Sequence, residues 1–425
     1  MYGKLEKAIL VGLHKTSKQI RNTETDIQES MKELSGLAEA AGAKVAAIII
    51  QNRLSRDAAY YTGKGKVEEV RELCLQLDAS LVICNDELSG TQIRNIEEIL
   101  EVKVLDRTSL ILDIFAQRAL SKEGKLQVEL AQLRYRLPRL QGIGKEMSRT
   151  GGGIGTRGPG EQKLETDRRH ILGRITDIKR ELEEFKKNRT VQRMQRQKSQ
   201  IPIVALVGYT NAGKSTLLNE LIKTHKDYSQ EKEVIAKDML FASLDVTLRK
   251  AVLSNKREFL VVDTVGFVSD LPHDLIEAFK ATLEEVKFAD VIIHVIDISN
   301  DNYEMQMKTT MQVLKELKVE NKPMLTVYNK IDLLGKENDY KNKEDCLYLS
   351  AHTRVNMAQL LKAIEEKLVD HRFEVTLSIP FHHGNVLYDL KNKYVIDRME
   401  YKEEGIELAL QLDERDYKKY QNYFI

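Results

Sequence analysis

The chain is short of three things, and each shortage closes off a class of protein. It has three cysteines in 425 residues, Cys74, Cys84 and Cys346, scattered with no C-x-x-C pair and no metal-ligand spacing. Neither a disulfide framework nor a cysteine metal site is expected; buried thiols in a reducing compartment are. Long apolar runs are missing as well. The run from Ala8 to Leu13 is too short for a secretory h-region with its cleavage site, and no stretch approaches the ~20 residues of a membrane span. We therefore expect no membrane span and a cytoplasmic location. An excess of either charge is also lacking: 66 basic residues face 65 acidic ones, so the total charge selects no partner.

The distribution of charge is another matter. Between Gln117 and Gln200 there are 21 Lys and Arg against 10 Asp and Glu, while the rest of the chain has 45 against 55. A basic middle thus lies between acidic flanks. The length exceeds one ordinary core, and about two to four domains are expected.

Residues 1–110 alternate short apolar runs (Ala8 to Leu13, Val45 to Ile50, Leu81 to Cys84, Val102 to Leu105) with amphipathic stretches of helical length. That is the pattern of a small parallel α/β domain. Within it, Thr62-Gly63-Lys64-Gly65-Lys66 lacks phosphate-loop spacing and reads as a plain turn. Residues 111–200 read as a helical hairpin. Apolar residues recur at helical spacing from about Ser109 to Leu137, where Pro138 is expected to stop the run, and a second, polar helix spans about Glu161 to Gln197. The tip, residues 141–160, holds eight glycines together with Lys145, Arg149 and Arg157. A loop of this length has no core of its own, and its glycines let backbone and cations approach a phosphate chain, so these three residues are candidate RNA contacts. The plainer reading is a solvated spacer, which explains the charge but not its sign.

Strand and helix alternation resumes over 201–370, with buried strands near Ile203 to Val207, Phe259 to Val262, Val291 to Ile296, Met324 to Tyr328 and Leu347 to Leu349. This predicts a doubly wound α/β sheet. Residues 371–425 follow as a small α+β domain with strands near Phe373 to Ile379, Val395 to Tyr401 and Ile406 to Leu412.

The chemistry begins where the first of those central strands ends. Gly208-Tyr209-Thr210-Asn211-Ala212-Gly213-Lys214-Ser215, followed by Thr216, is G-x-x-x-x-G-K-S between a strand and a helix. Backbone N–H groups of such a loop converge on a β-phosphate, Lys214 reaches the β- and γ-phosphates, and the Ser215 hydroxyl suits Mg²⁺. Asp263-Thr264-Val265-Gly266 ends the next strand; Asp263 would hold the Mg²⁺ shell through water and the Gly266 N–H would meet the γ-phosphate. Asn329-Lys330-Ile331-Asp332 ends another. The Asp332 carboxylate can accept from both donors of guanine, Lys330 would lie along the ring, and Ser350-Ala351 could offer a backbone N–H to the base oxygen. Adenine has no such donor pair, so the four segments in this order predict a GTPase that binds GTP and GDP with Mg²⁺.

Three positions qualify that reading. Phe267 stands where Ras-like enzymes carry a water-orienting glutamine, so intrinsic hydrolysis should be slow. His273 is a candidate water-positioning group, although a histidine that merely begins a helix is the plainer reading. Asn211 could help hold K⁺ beside the phosphates or simply brace the loop.

The order of these parts resembles the HflX family of ribosome-associated translational GTPases. So do the segments G-G-G-I-G-T-R-G-P-G-E, G-Y-T-N-A-G-K-S-T-L-L-N, L-F-A-S-L-D-V-T and D-T-V-G-F-V-S-D-L-P-H-D-L-I-E-A-F-K-A-T-L-E-E. The resemblance covers nearly the whole chain. It implies binding to the large ribosomal subunit and its RNA, with the glycine-rich tip directed toward the peptidyl-transferase region, and splitting of stalled ribosomes by what we expect is a monomer. Where the family usually reads A-T-L-D-P-T, this chain has Ala242-Ser243-Leu244-Asp245-Val246-Thr247. Ser243 keeps a hydroxyl for Mg²⁺, with Thr247 as the alternative ligand, and Val246 lacks the fixed φ of the proline it replaces. A large-subunit assembly GTPase and an RNA-binding protein with a non-catalytic GTP switch are the rival readings.

Overall fold

In the computed structural model the described residues are 6–16, 24–147, 159–199, 201–225, 247–264, 266–268, 284–319, 321–335, 342–343, 345–368 and 373–425. They divide into two compact units, the first holding residues up to Gln195 and the second most of the remainder.

The first unit is built on the four apolar runs of the N-terminal segment. They form β1 (Lys7–Lys15), β2 (Lys44–Arg53), β3 (Leu81–Cys84) and β4 (Lys103–Asp106), all parallel in the order β2-β1-β3-β4. The interior of β1 is buried along its whole length, as a strand covered by helices on both faces must be. Helix α1 (Glu24–Ala40) packs so closely on β1 that a Cβ on Gly12 would lie 2.4 Å from the sulfur of Met31. On the opposite side Ile9, Val11 and Val82 join Val67, Val70 and Ile96 from α2 (Lys64–Leu77) and α3 (Gly90–Leu100). Of the Thr62 to Lys66 segment only Thr62 and Gly63 form a turn, with the Arg53 guanidinium lying where a Gly63 side chain would go, while Lys64, Gly65 and Lys66 already belong to α2.

Helix α4 (Arg107–Arg118) follows β4 without a loop and crosses residue 110 with Leu110, Ile111, Leu112, Ile114 and Phe115 all buried. It belongs to this core, so the hairpin proper begins with α5 (Lys122–Met147). Asp106 caps α4 through the Ser109 N–H at 2.8 Å and also accepts from the Leu88 N–H at 2.9 Å, the Tyr135 hydroxyl at 2.6 Å and Arg139 at 3.2 Å. The last two come from α5, and the Arg139 guanidinium lies 3.4 Å over the Tyr135 ring. One fully buried carboxylate thereby fastens the hairpin to the N-terminal domain.

That anchor bears on the expectation that Pro138 ends the helix, which the structure corrects: Pro138 lies inside α5. An internal proline loses one helical bond and strains the preceding turn, at about 3 kcal/mol. Here Pro138 is on the exposed face, and the residues on either side of it are held in place. Tyr135 and Arg139 grip Asp106, and Leu126, Leu130, Leu133 and Leu137 pack on Ile171, Ile175, Ile178 and Leu182. These partners come from α6 (Pro159–Ser199), whose 41 residues span about 60 Å at 1.5 Å per residue. Arg174 pairs with Glu129 and Arg189 with Glu123, which fixes the two helices antiparallel. The tip residues Arg149 and Arg157 lie outside the described residues, as does the side chain of Lys145.

The second unit holds a six-stranded sheet in the order β10-β9-β8-β5-β7-β6. Its strands are β5 (Ile203–Gly208), β6 (Thr247–Val252), β7 (Glu258–Asp263), β8 (Val291–Asp297), β9 (Met324–Asn329) and β10 (Cys346–Tyr348). All neighbours are parallel except the β6–β7 pair. The edge strand β6 is the one the apolar pattern does not announce, since T-L-R-K-A-V carries two adjacent cations and is held by its pairing with β7. The core lies between Val204, Leu206, Ile293, Val295 and Val327 of the sheet and Leu217, Leu221, Leu360 and Ile364 of the helices. The C-terminal residues form an antiparallel sheet, β11 (Phe373–Pro380), β13 (Gly405–Leu412) and β12 (Ile396–Tyr401) in that order. Its apolar face closes on Leu390, Tyr394 and Tyr420.

Candidate nucleotide site

The parallel strands β5, β7, β8 and β9 all end on one side of the sheet, where open α/β folds bind their ligands. The loop after β5 is shaped by its two glycines. A Cβ on Gly208 would lie 2.2 Å from the Val295 carbonyl oxygen, and one on Gly213, at φ +91°, would lie 2.2 Å from the side-chain nitrogen of Asn329. Asn211 turns the loop at φ 61°. Helix α7 (Lys214–Ile222) then begins at the lysine itself, so its first N–H groups and its positive end face the loop.

Lys214 is 5% exposed, and its ammonium donates to the carbonyls of Tyr209 at 2.8 Å and Gly208 at 3.1 Å. Burial lowers its pKa to about 8, against the opposing attraction of Asp263. A phosphate that supplied negative charge here would raise that value again and hold the cation more firmly. The Ser215 hydroxyl donates to Asp263 at 2.7 Å, which brings a hydroxyl and a carboxylate of the expected Mg²⁺ shell together. Those hard oxygen donors suit Mg²⁺, which keeps several waters and takes phosphate oxygens as its other ligands. Thr264 donates to the Leu206 carbonyl at 2.7 Å and ties the end of β7 back to β5.

Asn329 joins two of the loops. Its amide nitrogen donates to the Ala212 carbonyl at 2.9 Å, and its oxygen accepts the Ala351 N–H at 3.0 Å. The second bond holds the Ser350-Ala351 segment, the expected source of a backbone N–H for the base oxygen, against the end of β9. Ser350 is fully buried and its hydroxyl caps the Thr353 N–H at 3.0 Å. Lys330 adopts φ 67° and pairs with Asp297 at 2.8 Å. Asp332 has a buried oxygen, Oδ1, with no hydrogen-bond partner among the described residues. A buried carboxylate oxygen without a donor is costly, and the paired N–H groups of guanine are donors of the kind that remedies it.

Other expected residues fall elsewhere. Ser243 and His273 lie outside the described residues, and of Thr247 only the backbone is described, paired with Asp263. Gly266 is buried, and the Phe267 side chain is 2% exposed; it packs and is not offered to solvent. One polar group escaped the motif reading. His294, the single polar side chain in the interior of β8 (V-I-I-H-V-I-D), is 2% exposed. Burial, aided by the charge of Lys214, lowers its pKa to about 4. The unfolded imidazole binds a proton below its ordinary value near 6.5, whereas the folded one resists protonation until about pH 4. Stability should therefore fall as pH drops through that window, by at most about 3 kcal/mol. His294→Leu should flatten this part of a denaturation-against-pH profile; an unchanged slope between pH 6.5 and 4 would show that other groups set it.

Residues 28–116 match the family described as GTP-binding GTPase N-terminal, and residues 118–196 the GTP-binding GTPase Middle Region. Residues 203–330 match the 50S ribosome-binding GTPase family. A GTPase HflX from Caldanaerobacter subterraneus subsp. tengcongensis is 47% identical over 420 residues, covering 99% of this chain and 94% of its own. The chain belongs to the HflX family of GTPases. The HflX of Escherichia coli is 40% identical over 412 residues, 96% of this chain and 93% of its own. Among solved structures, a GTP-binding protein from Sulfolobus solfataricus in complex with GDP is 26% identical, with a TM-score of 0.44, covering 86% of this chain and 99% of its own. No helix among the described residues of this HflX chain is long and apolar enough to cross a membrane.

Proposed function

We propose that the chain hydrolyses GTP and uses the cycle to split stalled ribosomes, engaging the RNA of the large subunit with its helical hairpin. What supports this reading is the presence of two features within one HflX chain: a carboxylate at Asp332 whose buried Oδ1 has no hydrogen-bond partner among the described residues, and a long basic rod. On α6 the exposed Arg168, Lys179 and Lys186 have no acidic partner among the described residues. Their spacing of 11 and 7 residues sets them on one side of the helix within about 20°. Such a track suits a phosphate backbone and would deliver the tip cations Lys145, Arg149 and Arg157.

At the nucleotide site, Ser215 and Asp263, with Ser243 or Thr247, would hold Mg²⁺, and Asn211 would help hold K⁺. Bound there, Mg²⁺ offsets charge on the β- and γ-phosphates. Lys214 binds those phosphates, and Phe267 cannot orient water, so turnover by the free protein should be on the order of 10⁻³ per second or slower and rise many-fold with ribosomes.

Sedimentation of purified ribosomes with the protein and GTP tests the proposal. Conversion of intact ribosomes to subunits is expected. Deleting Gly151 to Gly155 should impair it while leaving GTP binding intact, and replacing Lys145, Arg149 and Arg157 with Ala should weaken ribosome binding and lower its salt dependence. Binding to immature large subunits without splitting would favour an assembly role, and ribosome binding without hydrolysis a non-catalytic switch.

A further inference from the structure

The β6–β7 hairpin joins two places that the reaction does not obviously connect. One end lies in the nucleotide site, where Thr247 pairs with Asp263 and the Asp263 carboxylate accepts from Ser215. The other end is the turn from Leu253 to Arg257, about 20 Å away at roughly 3.3 Å per residue. In that turn the Lys256 N–H donates to the Leu253 carbonyl at 3.0 Å and the Leu253 N–H to the Arg257 carbonyl at 2.9 Å. This is a type I turn closed by a left-handed residue, the position where hairpins favour glycine. Here the residue is Lys256, at φ 63°.

A lysine gains nothing from that backbone conformation, so its use lies in its side chain. The ammonium reaches into the C-terminal domain and donates to two carbonyls at the end of the helix Gly384–Lys393, those of Lys391 at 2.7 Å and Tyr394 at 3.1 Å. Carbonyls at a helix C-terminus have no helical partner and carry the negative end of the dipole, which favours a cation. Both sides of the contact are rooted. Leu253 is buried in the core of the GTPase sheet, and Tyr394 is buried in the C-terminal core with its hydroxyl on Asp416 at 2.7 Å.

We propose that Lys256 is a positioning residue that couples the C-terminal domain to the nucleotide site, with the β6–β7 hairpin as the lever between them. A shift at Asp263 on exchange of GDP for GTP moves the far end of the hairpin, and the helix held by Lys256 moves with it. By linkage, whatever the C-terminal domain binds then alters the preference for GTP over GDP by the same factor. The inference rests on guanine-nucleotide binding at the Lys214 loop but not on ribosome splitting.

Lys256→Gly is the decisive variant, because glycine suits the turn and removes only the side chain. Two quantities are read on the full chain: the ratio of dissociation constants for GDP and a non-hydrolysable GTP analogue, and amide hydrogen exchange over residues 390–394 in each state. The wild type should exchange at different rates in the two states. In Lys256→Gly that difference should vanish and the affinity ratio should change by about fivefold or more, while Lys256→Arg, which keeps the donor, should retain both. Wild-type exchange that ignores the nucleotide, or a Lys256→Gly ratio within about twofold of wild type, overturns the proposal. Failure of the wild type to bind either nucleotide would instead overturn the reading of the site itself.

Discussion

Asp332→Asn should weaken GTP binding by on the order of 10³-fold and raise affinity for xanthosine triphosphate. The carboxylate offers two acceptors, of which Oδ1 is buried without a partner among the described residues. Guanine presents two donors in the matching direction. An asparagine keeps one acceptor and turns the other into an amide donor that faces the guanine amine, so one hydrogen bond becomes a repulsion. Xanthine carries a carbonyl at that place and accepts from the new amide. Without nucleotide the variant should be no less stable than the parent, since the half-buried carboxylate it replaces has an oxygen, Oδ1, with no hydrogen-bond partner among the described residues. Competition between the two triphosphates, with a thermal melt of the nucleotide-free protein, checks both parts. An unchanged preference for GTP would refute the assignment of Asp332 as the base reader.

The parts of this protein that were legible in its sequence are those governed by local physics. Buried parallel strands are continuous apolar runs, so β1, β3, β5 and β8 are visible as V-, I- and L-rich segments. The phosphate loop is visible because its glycines answer close approaches that no side chain permits. What was not legible depends on contacts between distant residues. Pro138 reads as a helix stop, and the helix continues because Tyr135 and Arg139 grip Asp106 and the leucines of α5 pack on α6. Strand β6 has no apolar signature because its neighbour supplies its order. The bond from the Ala351 N–H to the Asn329 side chain, 22 residues earlier, has no local signature in the sequence. Lys256 is one cation among many until its φ and its acceptors are seen together.

Asn329 is where those distant contacts concentrate, and it carries the other large expected effect. Its amide nitrogen holds the phosphate loop through Ala212, and its oxygen holds the Ala351 loop. Asn329→Ala removes both bonds and leaves a buried carbonyl and a buried N–H without these partners, each at about 1–3 kcal/mol. The loops would no longer be pre-organised, and guanine-nucleotide affinity should fall by on the order of 10²-fold or more for a total of a few kcal/mol. Gly213→Ala should be harmful for a different reason that shares the same atom. At φ +91° a Cβ is strained, and it would lie 2.2 Å from the Asn329 amide nitrogen, which cannot retreat because its bonds to both loops fix it. Once Asn329 is alanine the obstruction is gone, and Gly213→Ala should cost only its left-handed strain, about 1–2 kcal/mol. The double variant should therefore be less damaged than the sum of the single ones, by about 1–3 kcal/mol. Denaturant midpoints and GDP affinities for the four proteins measure that difference. Additive effects would mean that the amide yields freely to the new methyl group, and that Asn329 does not hold the two loops in a fixed arrangement.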